Sequence, residues 1–250
     1  MLLRTRLSLV AAAVAAATLF AAPVHAGTAE ETPGDVSFAM FDPGDAVFSD
    51  GAEFGLGDLQ QYGIGQAVVE QLGRGETVTP EPDNVELGPP VEPPVDEPVE
   101  FAAPAATVLA PAAADPRYSI AGEWKDKWNT PLVIRNGWWS GADAGFGLTK
   151  VTGKHNLTLR AVRATTKYPR PVGGKTHISG SKYEYRTDVL HVECSGVWIF
   201  KRCKVTDRKT ILVAADFRQI TDGKPFGVVT AYCEGVSGKC PDWVKNSINI

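Results

Sequence analysis

Residues 80–115 hold nine of the chain's 18 prolines and no lysine or arginine. Proline fixes φ and donates no backbone hydrogen bond, so a run this dense sustains neither a helix interior nor a central strand. PEPDNVELGPPVEPPVDEPVEFAAPAATVLAPAAAD also has too little large apolar content to offset the entropy of ordering, and it reads as an extended acidic linker. Whatever folds must be built from the sequence on either side of it.

The two sides differ sharply in charge. Residues 27–115 carry 18 Asp/Glu against Arg74 alone, a sum of 1 − 18 = −17, whereas residues 116–250 carry 22 Lys/Arg and 11 Asp/Glu, a sum of +11. Such asymmetry points to a polyanionic partner for the basic half, an acidic tail, or both. All six Trp and all four Cys also lie after residue 116. The fold is therefore expected over 116–250, with 27–79 an acidic, Gly-rich pro-region or spacer. That segment has one weak helix signal in DLQQYGIGQAVVEQL, where Asp58 could cap and Gly63 and Gly65 interrupt.

The first 26 residues, MLLRTRLSLVAAAVAAATLFAAPVHA, pair Arg4 and Arg6 with an apolar run and a Val24-His25-Ala26 end. This is the pattern of a secretory signal peptide. No later stretch approaches the roughly 18 apolar residues of a membrane span. The expectation is a secreted, extracellular monomer with no membrane partner once the leader is removed. In an oxidising compartment the four cysteines can pair, and the short spacings favour Cys194–Cys203 and Cys233–Cys240 over the two other connectivities. A zinc site is the competing reading, but the spacing fits no zinc pattern and no metal is assigned.

Over 116–250 the patterning predicts an α+β fold, with N-terminal helices followed by an antiparallel sheet of four or five strands. The tryptophan-rich start reads as irregular or short helices ending near residue 155. LTLRAVRAT (157–165) alternates as a strand would, KYEYRTDVLHVEC and GVWIFKRCKVT form a hairpin, and KTILVAADF and FGVVTAYC flank the Asp222-Gly223 turn. PDWVKNSI reads as a short closing helix.

Three histidines remain after the leader: His155, His177 and His191. His155 follows Lys150 and Lys154 at helical spacing in GFGLTKVTGKHN, which places a group titrating near neutrality beside two cations. His177 sits in a Gly- and Ser-rich loop, RPVGGKTHISGS. Arg186 and Asp188 share one face of their strand, with Tyr183, Tyr185 and His191 on the other, and Thr230 and Tyr232 share a face of the last strand. Metal-independent RNA cleavage needs a base, an acid and cations near the developing phosphorane charge, and these residues supply all three types. No P-loop or Gly-x-Ser-x-Gly elbow is present, which argues against NTPases and esterases.

The helix GFGLTKVTGKHN and the late strands KTILVAADFRQITDGKPFGVVTAYCEG resemble the barnase–EndoU–colicin–RelE-like secreted toxin ribonuclease domains, over about residues 135–245. The resemblance implies a cofactor-free endoribonuclease that leaves 2′,3′-cyclic phosphate ends, with RNA as substrate and a cognate inhibitor or immunity protein as partner. It implies catalytic positions at His155, Lys154, Thr230 and Tyr232, a weaker one at Arg186, and a substrate contact at the basic position Lys150; His177, in its glycine-rich loop, and Arg160 are further expected substrate contacts that the resemblance does not itself supply. The rival reading is a non-catalytic basic module that grips nucleic acid or cell-wall polyanions. Such a module has no need of a histidine at 155.

Overall fold

Two long neighbouring strands organise the protein, β8 (Lys182–Ser195) and β9 (Arg202–Gln219), which pair antiparallel from Lys182↔Asp216 to Ser195↔Arg202. The computed structural model describes residues 35–42, 48, 51–80 and 115–249, all within one compact unit. Cys194 and Cys203 are register partners, and their disulfide staples the end of this ladder. The second bridge, Cys233–Cys240, ties the last strand to the C-terminal segment. Both pairings match the expectation from spacing, and disulfides fit an oxidising compartment. Among the described residues no helix is long and apolar enough to cross a membrane.

The sheet has six strands among the described residues. β10 (Pro225–Cys233) pairs with β9, and β7 (Lys175–Ser179) pairs with the start of β8. The other two come from the half read as a spacer. β1 (Val36–Phe41) lines up against Val189–Cys194 of β8, and β2 (Glu53–Gly55) pairs with Arg202–Lys204 of β9. The expectation of a spacer over 27–79 is thus corrected for residues 36–41 and 53–73. The short apolar run SFAMF is diluted by its acidic neighbours in any composition window, but it alternates across a sheet covered on both faces. Phe38 and Met40 enter one core, Ala39 and Phe41 the other. The predicted leader, residues 27–34 and the linker from 81 to 114 lie outside the described residues.

Each face of the sheet carries its own core. One is closed by a 3-10 turn at Leu56–Tyr62 and by α1 (Gln66–Gly73), which bring Leu56, Leu59, Val69 and Leu72 over Leu190, Val192 and Val205. The other is closed by a hairpin of β3 (Ile120–Lys125) and β4 (Pro131–Arg135), and by α2 (Gly147–His155) and α3 (Leu159–Lys167). Two further expectations are corrected here. The tryptophan-rich start is a β-hairpin rather than irregular or helical, with Trp124 buried against α3 through Nε1 donating to Thr166 Oγ1 at 2.7 Å. The stretch expected as a strand over 157–165 is helical from Leu159 onward. Thr158 caps α3 by accepting from Ala161 N at 3.1 Å, and Leu159, Val162 and Thr166 recur at the helical period on its buried side.

Ion pairs with one buried partner each lock the outer elements to the sheet. Arg135, 1% exposed, donates to the carbonyls of Tyr118, Pro225 and Phe226 and to the carboxylate of Asp222. It therefore pins β4 to the Asp222-Gly223 turn, where Gly223 takes the expected positive φ of 74°. The Asp126 side chain, fully buried, accepts from Lys175 Nζ at 2.8 Å and from Tyr185 Oη at 2.8 Å. Burial opposes the Asp126 carboxylate, but these donors and the Thr130 N–H outweigh it and hold the group below the usual carboxylate range. The Lys175 ammonium also lies 4.7 Å from the Trp128 ring and 5.0 Å from Tyr185. Removing one member of such a pair strands the other. Asp126→Ala is expected to cost about 3 kcal/mol or more, read as a fall in the urea midpoint of residues 27–250; an unchanged midpoint would show the pair to be inert.

Candidate functional site

The glycine-punctuated entry to α2 is a packing requirement. Gly145 (φ 119°) and Gly147 (φ 77°) cross β5 (Trp138–Trp139) and the end of β4 so closely that a Cβ would fall 2.2 Å from Trp138 O and 2.5 Å from Arg135 O. Only glycine fits both the backbone angle and the space. Residues Gly145–Phe146 form β6, paired with β5, and the chain turns directly into α2. The helix ends at Asn156, in the left-handed conformation (φ 57°), whose Nδ2 donates to Cys240 O and Asp242 Oδ1, both at 2.9 Å. α4 (Asp242–Lys245) returns the contact, Lys245 Nζ donating to Asn156 Oδ1. These bonds, with Cys240 N donating to His155 O, set the position of His155 at the helix end.

His155 is 8% exposed. Its Nδ1 lies 3.3 Å from Gly238 O, which can only accept, so the ring proton sits on Nδ1 and Nε2 keeps its lone pair. Burial lowers the imidazole pKa most, opposed by the Gly238 bond and aided by the charges of Lys154 and Lys150. The ring is therefore neutral near pH 7. Its centroid is 5.7 Å from that of Tyr232 on β10.

Tyr232 opens onto the rest of the site. Arg186, Leu212 and Tyr232 are successive register partners on β8, β9 and β10, and Glu184, Ala214 and Thr230 form the next row. Directly opposed residues share a face. Arg186 donates to Glu184 and Glu234, at 2.6 and 2.9 Å, and Arg170 pairs with Asp188 at 3.0 Å and donates to Thr210. Burial raises the Tyr232 phenol, and Glu184 and Glu234 raise it further against Arg186, so it keeps its proton. Thr230 Oγ1 is buried with no hydrogen-bond partner among the described residues.

The structure thus brings His155, Thr230, Tyr232 and Arg186 to one sheet region, with the two lysines beside the histidine. Lys154 pairs with Asp143, while Lys150 Nζ donates to Asp143 O and Gly145 O and is pushed down by burial and by Lys154. His177 and Arg160 are elsewhere. His177 is on strand β7 rather than in a loop, opposite Tyr183 on the other face from Arg186, and donates to Gly180 O at 2.9 Å. Arg160 is on α3 rather than on a strand, in the layer that covers the other face. His191 is also apart, between Ser37 Oγ at 2.8 Å and Thr206 Oγ1 at 3.1 Å.

Sequence reasoning missed Glu184, Glu234 and Arg170. Glu184 was readable, since it precedes Arg186 and Asp188 by two and four positions on one strand face. Arg170 and Glu234 join only through cross-strand and loop contacts. Among the described residues no group of three or more His, Cys, Asp or Glu side chains is placed to hold a metal ion. No family model, curated protein or solved structure matches the chain.

Proposed function

We propose that the chain is a metal-independent endoribonuclease whose centre is His155, Tyr232 and Arg186. The observation that carries this reading is the pairing of a neutral histidine, its Nε2 lone pair unused, with a tyrosine that keeps its proton 5.7 Å away, centroid to centroid. In this reading His155 Nε2 takes the proton of the ribose 2′-hydroxyl as the 2′-oxygen bonds to phosphorus. The phosphorus–O5′ bond breaks, and the leaving oxygen takes a proton from Tyr232 Oη. The products are a 2′,3′-cyclic phosphate and a 5′-hydroxyl, and solvent restores both side chains. Arg186, held by Glu184 and Glu234, supplies a cation beside the developing charge.

The test is incubation of residues 27–250 with single-stranded RNA in EDTA, with analysis of the ends. Fragments ending in cyclic phosphate support the reading. Intact RNA that is nevertheless retained by the protein transfers the site to the binding-module alternative.

The pH dependence follows from the direction of the histidine shift. A general base must be unprotonated, so kcat/KM is expected to rise with pH along an acid limb whose midpoint lies below the ordinary imidazole value of about 6.5. Because the folded state binds that proton less readily than the unfolded chain, the same group also removes stability as pH falls through about 6.5 toward the folded pKa. An activity that rises as pH drops below 6 contradicts His155 as the base.

A further inference from the structure

Every residue of α3 that reaches solvent is a cation. Leu159, Ala161, Val162, Ala164, Thr165 and Thr166 are buried, and Arg160, Arg163 and Lys167 make up the remaining side. Spacings of three and four residues put them in one stripe, about 10 Å long at 1.5 Å per residue. Like charges so spaced work against the helix that carries them, and a merely solvated helix face ordinarily mixes signs.

The surroundings do not cancel this charge. From Ala144 to Tyr183 the chain has eight Lys/Arg and no Asp or Glu. α3 packs along β3, where Trp124 Nε1 donates to Thr166 Oγ1 at 2.7 Å and Lys127 N donates to Thr166 O at 3.1 Å. The loop of the β3–β4 hairpin, with Lys127 and Trp128, therefore lies beside the Lys167 end of the stripe. The two carboxylates of that hairpin are engaged elsewhere: Glu123 accepts from Lys224, and Asp126 is buried against Lys175. Arg163 donates to Glu123 O at 3.5 Å and lies 5.7 Å from the Trp124 ring, contacts that place the guanidinium without neutralising it. Trp128 is 51% exposed, and the Lys175 ammonium that binds Asp126 lies 4.7 Å from its ring centroid.

We infer that this surface binds a single-stranded nucleic acid, with phosphates along Arg160, Arg163 and Lys167 and a base stacked on Trp128. Cations that track a backbone beside an aromatic ring are the chemistry of single-strand binding. An acidic peptide would satisfy the charge and leave the indole unused, and a duplex keeps its bases stacked on one another. The surface also gives Arg160 the substrate contact that the His155 region does not. Its use in catalysis rests on the function proposed above, whereas its binding does not. α3 covers the opposite face of the sheet from Arg186, so a strand held here is a second contact, remote from the reacting phosphate.

The probe is a fluorescein-labelled 2′-O-methyl oligouridylate, which lacks the attacking hydroxyl, so anisotropy reads its binding to residues 27–250 without cleavage. Arg163→Gln with Lys167→Gln is expected to weaken binding at least tenfold at low salt and to leave the thermal midpoint unchanged. The slope of log K against log salt should become shallower by about 1.4, at roughly 0.7 per phosphate on a single strand. Trp128→Ala should weaken binding about tenfold, and Trp128→Phe should recover most of the loss. Parental affinity and slope in the glutamine pair overturn the inference, as does a parent chain that does not bind the probe. Displacement by polyglutamate as readily as by unlabelled oligouridylate, with full affinity in Trp128→Ala, overturns it in favour of an acidic peptide. A chain that binds as expected and leaves RNA intact loses the proposed activity and keeps this surface. A chain that cleaves RNA while the glutamine pair binds as the parent does keeps the activity and loses the surface.

Discussion

Residues 116–250 expressed alone will not form a stable soluble monomer, although composition and charge make them look like a complete domain. The truncation removes β1, β2, α1 and the 3-10 turn, and with them nine buried apolar side chains of the second core, from Phe38 to Leu72. Leu190, Val192 and Val205 then face water. Reburial of each is worth about 1.5–3 kcal/mol, and net stabilities are only about 5–15 kcal/mol. The loss is not confined to one face, because β1 also places Ala39 and Phe41 in the first core. Its removal bares the edge of β8 from Val189 to Cys194, a row of unpaired backbone groups beside apolar side chains that invites association. Two ties to the remainder are cut as well: Arg208 loses Asp42, and Asn249, which bonds Phe41 N and O at 2.6 and 2.9 Å, loses its partner strand. The comparison is between 27–250 and 116–250 by urea unfolding and size-exclusion chromatography. A cooperative transition with the same midpoint in the short form would reject the account of β1 as part of the fold.

His155→Ala is expected to lower RNA cleavage by about 10²-fold or more, the size of effect that follows loss of a general acid or base. The side chain is buried and bonded to Gly238 O, so alanine also leaves a small void at the end of α2. A loss of structure must therefore be separated from a loss of chemistry. His155→Gln keeps most of the volume and a polar group toward Gly238, yet cannot accept a proton near neutral pH; its rate should fall as far as alanine's while its thermal midpoint stays closer to wild type. The acid limb of the pH profile should vanish in both variants. Tyr232→Phe should slow cleavage less, because water can replace it as the acid. Wild-type rates in either His155 variant would remove this residue from the catalytic assignment.

Some features were determined locally and could be read without the fold. The strong alternation of KYEYRTDVLHVEC and FGVVTAYC yields β8 and β10 because side chains two apart face the same way. Asp222-Gly223 is a turn because glycine accepts positive φ. Cys194–Cys203 and Cys233–Cys240 form because closing a short loop is entropically cheapest. The lysines beside His155 follow from helical spacing alone.

Tertiary structure decided the rest. In so short a run as LTLRAVRAT, Leu157, Leu159 and Ala161 fit a strand as well as Leu159 and Val162 fit the helix that forms from Leu159. The packing surface of the sheet chooses between them. The partners of SFAMF lie about 150 residues away in sequence, as Ser37↔Glu193 shows, so no local window can show that an apolar pentapeptide in acidic surroundings is a strand. The site was legible in its residue types and not in its membership. The faces of β8 and β10 follow from alternation, but Arg170 and Glu234 reach Arg186 and Asp188 only through strand register and loop closure. His155 meets Tyr232 only because the Cys233–Cys240 segment is folded against the end of α2. A local pattern fixes which way a side chain points, whereas what it meets depends on contacts between segments that nothing in either segment specifies alone.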